Sequence, residues 1–254
     1  MQGPWLTLSE AEADGFLERL TAVLSHAHQE GAFTKRLPIS DLRAMPLSFY
    51  PGWLLVEGEA QVTPERVGTF NVLYGPGLMW AIDGSSEVIH DLNSGRIPVV
   101  ESKTVAVAGT VVNRDGGGPS FLKSPMADLD LMVKGPDYLR FFCGSVWGDE
   151  GPFNLVESVD APVLQGVKSP NDTWRDRIKP VIMHQAGESL IAEALVVYNA
   201  GLFGAKFIIF KDGVVSMADD DPIADVELPK QELLSPFRNL RPGAVRIMSS
   251  KDGR

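Results

Sequence analysis

A mainly β fold, α+β at its margin, is what this sequence predicts: an antiparallel barrel or sandwich of about ten short strands, with an N-terminal amphipathic helix packed against it. Three observations lead there. With 25 Gly and 18 Pro among 254 residues, the chain is punctuated too often for long elements. From Trp53 onward, apolar and polar residues alternate with the two-residue period of strands. Regular strand–helix alternation is missing, which argues against a doubly wound α/β sheet. No linker-like stretch separates two self-sufficient patterns. The expectation is therefore one domain over 1–254, with a helix at 7–30, a β core at 53–217 and a tail at 235–254.

The first helix is the clearest element. Thr7 and Glu10 have the spacing of a capping box, and Ala13, Phe16, Leu17, Leu20, Val23, Leu24 and Ala27 form one apolar stripe. Gly31 supplies a stop. Prolines at 38, 46 and 51 then break the chain. Strands are predicted for 53–62, 67–74, 78–82, 87–90 and 104–113, each bounded by Gly, Pro, Asn or Asp. Arg114–Pro119 reads as an exposed loop. A strand pair, 126–134 and 137–147, is predicted around Gly135-Pro136. The segment 155–165 reads as an edge strand because it holds Pro162. Ser189–Tyr198 is read as a strand from Val196, Val197 and Tyr198. The hairpin 206–217 follows from Phe207-Ile-Ile-Phe210, the turn Lys211-Asp212-Gly213, and Val214-Val215. A tail richer in Arg than in acids follows an acidic stretch, so it either folds back on acidic surface or stays loose. Leu73–Met79 and Val197–Phe203 share a Tyr-x-x-Gly-Leu echo, a faint sign of a repeated β unit.

Composition narrows the function. The formal charge of −10 argues against a nucleic-acid partner, since phosphate binding needs a dense basic surface. The longest uncharged apolar run, Ala194–Ala205, is too short for a membrane span, which needs about 20 residues, so no membrane association is expected. Cys143 stands alone and cannot form an internal disulfide. With no secretory signal in the first residues, the expected location is the cytoplasm. Symmetry makes a homodimer the default oligomer.

Phosphate-loop, dinucleotide and serine-elbow signatures do not occur in the sequence. The residues that could carry chemistry are scattered. His90 and His184, on separate predicted strands, could meet in a barrel mouth as acid–base groups. Asp128 and Asp130 lie two apart on one predicted strand face, opposite Leu129 and Leu131, and could orient such a histidine. Arg175 could clamp an anionic group, with Tyr74 and Trp80 lining the site. The leading expectation is thus an enzyme acting on a small-molecule ligand by acid–base chemistry, as a lyase, isomerase or hydrolase. A non-catalytic binding or assembly module is the alternative, with the tryptophans at an interface. A metal enzyme with His and carboxylate ligands is the third reading, although no ligand set is evident. No cofactor is indicated.

Overall fold

The computed structural model describes residues 4–27, 39–75, 78–82, 84–96, 98–99, 120–121, 124, 130–230 and 237–243. In chain order the elements are β1 (Leu6–Thr7), α1 (Glu10–Ala27), β2 (Ile39–Pro46), β3 (Leu54–Thr63), β4 (Arg66–Gly75), β5 (Leu78–Ala81) and α2 (Glu87–Asn93). Next come β6 (Pro98–Val99), β7 (Ser120–Phe121), α3 (Leu131–Ser145), β8 (Trp147–Gly148), β9 (Gly151–Pro152) and β10 (Asn154–Leu155). Two 3-10 turns, Pro162–Leu164 and Thr173–Arg177, lead to β11 (Ile182–Ala186), β12 (Ser189–Tyr198), β13 (Gly201–Ile209), β14 (Val215–Pro222) and β15 (Arg238–Pro242).

The chain is mostly antiparallel β, as the alternation predicts. Two main sheets form. The first runs β1-β2-β3-β4, and the far edge of β4 is shared by β5 and β15. The second runs β14-β13-β12, and the far edge of β12 is shared by β11 and β10. Both are open; neither closes into a barrel among the described residues. Each sheet contains a four-strand meander preceded by a helix, α1 before β2–β5 and α3 before β11–β14. The Tyr-x-x-Gly-Leu echo does not mark equivalent places in these meanders. Its first copy spans the last hairpin of one, and its second spans the middle hairpin of the other.

Three apolar clusters organise the layers. On one face of the first sheet, Phe16 and Leu20 of α1 pack with Leu42, Ala44, Val56, Ala60, Phe70 and Val72. The expected packing of the amphipathic helix on the β core is therefore observed. The other face contributes Leu55 and Leu73 to a cluster that also holds Ile89 and Leu92 of α2, Tyr138, Leu139, Phe141 and Phe142 of α3, and Leu190, Ala192, Phe207 and Ile209 of the second sheet. This shared core contains helices as well as both sheets, unlike a simple sandwich. Leu195, Val197 and Leu202, on the outer face of the second sheet, are covered by Trp174, Val226 and Leu228.

Local departures have physical causes. The α1 capping box is Ser9 with Glu12, not Thr7 with Glu10. The Ser9 N–H and hydroxyl both donate to Glu12 Oε2, at 2.9 and 2.5 Å, while Thr7 is spent on β1. The predicted strand 87–90 is instead helix α2, whose buried Ile89, Leu92 and Asn93 have helical spacing. Of the predicted strand pair 126–134 and 137–147, residues 126–129 lie outside the described residues and 131–145 form helix α3 instead. Asp130 caps it, its Oδ1 accepting from the Met132 N–H at 3.1 Å. The helix runs through Gly135-Pro136. Pro136 deprives the Met132 carbonyl of its partner, but Met132 is exposed and water can serve. Burial of Tyr138, Leu139, Phe141, Phe142 and Cys143 then outweighs the strand preference of the aromatics. The edge strand 155–165 shrinks to β10, because Pro162 starts a 3-10 turn.

The predicted strands 53–62, 67–74, 78–82 and 189–198 match β3, β4, β5 and β12 to within a residue or two. The predicted hairpin 206–217 forms with its turn in place, Gly213 at φ 79°, but its strands run longer, over Gly201–Ile209 and Val215–Pro222. The tail folds back, since β15 pairs with β4 and Arg241 Nη2 reaches both Glu59 carboxylate oxygens at 2.9 Å. The predicted strand 104–113, the loop 114–119 and residues 244–254 lie outside the described residues.

Candidate functional site

The groups expected to do acid–base work do not converge. His90 lies on α2, not on a strand. Its ring is half-buried and stacks on Phe142 at 6.3 Å, and its Nε2 is buried with no hydrogen-bond partner among the described residues. His184 is exposed on β11, where it faces the same side as its cross-strand partner Ile191. The neighbouring Met183 points the other way and packs into the core shared with α3. His90 packs against α3, and His184 projects from the face of the second sheet turned away from that helix, so the sheet lies between them. Proton relay needs hydrogen-bond reach or one bridging water. Asp130 is committed to the α3 cap, and Asp128 lies outside the described residues.

The remaining three residues are equally dispersed. Arg175 pairs with Asp172 (Nε to Oδ1, 3.0 Å) and lies over the Trp174 ring at 4.6 Å. Tyr74 packs edge-on against Phe16, and its hydroxyl accepts from Arg19 Nη1 at 2.8 Å. Trp80 is buried in the shared core.

Two polar assemblies were not foreseen, and both brace the fold. In the first, the Tyr50 hydroxyl donates to Asn93 Oδ1 at 2.5 Å, and Asn93 Nδ2 donates to the Tyr138 hydroxyl at 2.9 Å. Tyr138 donates in turn to the Gly213 carbonyl. Burial pushes both phenols well above the usual tyrosine range, so they stay neutral and act as hydrogen-bond donors. In the second, Arg140 on α3 grips Glu157 through Nε (2.6 Å) and Nη2 (2.8 Å), and Asp137 through Nη1 (2.6 Å). Burial alone would raise the Glu157 pKa. Hydrogen bonds from Arg140 and from the Val181 N–H (2.9 Å) outweigh it, and the carboxyl ends below its ordinary value. These four partners tie α3 to the segment that enters β11. Cys143 is buried, and desolvation pushes its thiol up, away from nucleophilic character. Among the described residues no group of three His, Cys, Asp or Glu side chains is placed to hold a metal.

Among the described residues, half of the outer face of the second sheet is left without a covering element. The register sets two rows across four strands. One reads His184, Ile191, Ile208, Ser216, and the other Ile182, Glu193, Lys206, Asp219. Directly opposed residues share a face, and this is the face opposite the one that packs on α3. Ile182 is 44 % exposed, His184 and Ser216 are exposed, and Ile191 and Ile208 are half-exposed. The next row inward, Leu195 opposite Gly204, is covered: the Arg177 guanidinium lies against Gly204, and Trp174 packs on Leu195.

The two edges of this sheet differ in chemistry. β14 carries Asp219, Asp220, Asp221 and Pro222, with a register shift opposite Lys206/Phe207, all devices that discourage pairing. β11, Ile182-Met-His-Gln-Ala186, has no formally charged Lys, Arg, Asp or Glu and no proline. It turns into β12 through the two-residue loop Gly187-Glu188, with Gly187 at φ 63°, as a type II′ turn requires. Ala186, His184 and Ile182 therefore exchange backbone bonds with β12, and the N–H and C=O of Met183 and Gln185 point outward. One signal for this edge stood in the sequence: Pro180–Gly187 contains no Lys, Arg, Asp or Glu.

No family model, no curated protein and no solved structure matches this chain. Among the described residues, no helix is long and apolar enough to cross a membrane.

Proposed function

We propose that this protein is a non-catalytic interaction module that binds an extended segment of protein along the second sheet, by adding a strand to β11. The observation behind this reading is the contrast between the two edges of one sheet. Three aspartates, a proline and a register shift guard β14, whereas β11 presents unguarded outward backbone groups beside exposed apolar side chains. Strand addition takes affinity from main-chain hydrogen bonds and selectivity from alternate side chains. Here those would meet Ile182, His184 and Ala186, the outer-face residues of β11. The acid–base reading on a small molecule draws no comparable support, because its candidate groups are dispersed and several are committed to caps, ion pairs or the core.

The test uses the full chain and a soluble octapeptide of alternating Thr and Val flanked by lysines. Nuclear magnetic resonance would follow the Met183 and Gln185 amides and the Ile182 and Ala186 methyls. Shifts confined to those sites support the reading. At a protein concentration where one chain sediments alone, a peptide that perturbs only β14, or nothing, overturns it.

A further inference from the structure

Resting on that strand-addition reading, we infer that the occupant of the β11 edge is β11 of a second copy of this chain, paired antiparallel about a two-fold axis through His184. The outward groups of β11 belong to Met183 and Gln185, which are symmetric about His184 in sequence. In an antiparallel pair centred there, Met183 of each copy faces Gln185 of the other, and the two pairs exchange four backbone hydrogen bonds. His184 faces its own equivalent at a non-bonded position, where Cα atoms approach to about 4.5 Å. Ile182 meets Ala186, a large residue against a small one.

Charge decides which edge self-pairs. Apposition of β14 with itself would bring Asp219, Asp220 and Asp221 against a second acidic set. β11 brings no Lys, Arg, Asp or Glu against its copy. Face continuity points the same way. The exposed row His184, Ile191, Ile208 runs to the β11 edge, so pairing joins the rows of two copies into one strip, two histidines at the axis flanked by isoleucines, with no formal Lys, Arg, Asp or Glu in it. The second sheet would grow from five strands to ten. A five-residue strand is only about 17 Å long. The contact therefore falls at the small end of specific interfaces, below about 1,200 Å², and a weak, concentration-dependent dimer is expected.

The test is sedimentation velocity of the full chain over a wide concentration range, with three variants. The wild type should rise from the mass of one chain toward two. Gln185→Pro removes an outward N–H without touching the bonds to β12, which an edge strand tolerates. It should weaken association at least tenfold with an unchanged circular dichroism spectrum. His184→Cys should form a disulfide-linked dimer under oxidised glutathione, since opposed non-bonded positions have disulfide geometry and Cys143 is buried. Ser216→Cys, on the same face but beside the guarded edge, should not. A wild type that stays monomeric throughout overturns the inference, as does self-association that Gln185→Pro leaves intact. If the chain is monomeric yet the Thr-Val peptide still shifts Met183 and Gln185, self-pairing falls while the strand-addition reading stands. If the peptide also does nothing, both fall.

Discussion

Removing the Tyr138 hydroxyl should destabilise this protein more than removing that of Tyr50, and the difference can be worked from the network they share. Tyr138 accepts from Asn93 Nδ2 and donates to the Gly213 carbonyl, so Tyr138→Phe strands one buried donor and one buried acceptor. Tyr50 donates to Asn93 Oδ1, so Tyr50→Phe strands that acceptor. Both rings are fully buried and Asn93 is 3 % exposed, so water has little access to repair either loss. A buried polar group left unpaired costs about 1–3 kcal/mol. Tyr138→Phe should therefore cost about 2–6 kcal/mol and Tyr50→Phe about 1–3. Against an ordinary stability of about 5–15 kcal/mol, the larger loss is severe. Urea unfolding followed by the fluorescence of the five tryptophans would report it. With a slope of about 2–3 kcal/mol per molar, the Tyr138→Phe midpoint should fall by about 1–3 M. The two changes share Asn93, so the double variant should depart from additivity by at least 0.5 kcal/mol, the usual threshold for coupled neighbours. A Tyr138→Phe protein as stable as the wild type, or less affected than Tyr50→Phe, would refute the assignment of Tyr138 as the central member.

Three further outcomes are expected. Because the Glu157 pKa is depressed in the folded state, its stabilisation is complete above the unfolded value of about 4.3 and is lost as pH falls through the folded value. Glu157→Gln should flatten that acid limb in urea midpoints measured against pH, and lower neutral stability by roughly 1–3 kcal/mol, because Arg140 loses its carboxylate fork and keeps only Asp137. At Gly58 a Cβ would sit 2.7 Å from the Phe70 ring and 2.8 Å from Leu42, so Gly58→Ala should cost about 1–3 kcal/mol by thermal melting. Native protein should react with Ellman's reagent only as fast as it unfolds, since Cys143 is buried and its thiol held protonated; rapid labelling without denaturant would contradict that burial.

The division between what could and could not be read before the structure follows the range of the forces involved. Strands β3, β4, β5, β12 and the β13–β14 hairpin were legible because side-chain alternation and turn residues act within a few positions. The α1 stripe was legible for the same reason, though its cap was misplaced by competition between Thr7 and Ser9 that only strand pairing resolves. Helices α2 and α3 were not legible. Their aromatic and β-branched residues favour strands locally, and only burial between sheets rewards the helical spacing of Ile89 with Leu92 and of Tyr138 with Phe141 and Phe142.

The site shows the same boundary. The sequence alone determined an antiparallel β-rich chain, a helix with one apolar face, and an uncharged stretch at 180–187. Tertiary structure decided which faces meet: it spent Asp130 on a cap, put a sheet between His90 and His184, and guarded one edge while giving β11 no second partner strand among the described residues. Local patterns encode which side of an element is apolar. Which partner covers that side depends on contacts between residues far apart in the chain, and no short window of sequence contains them.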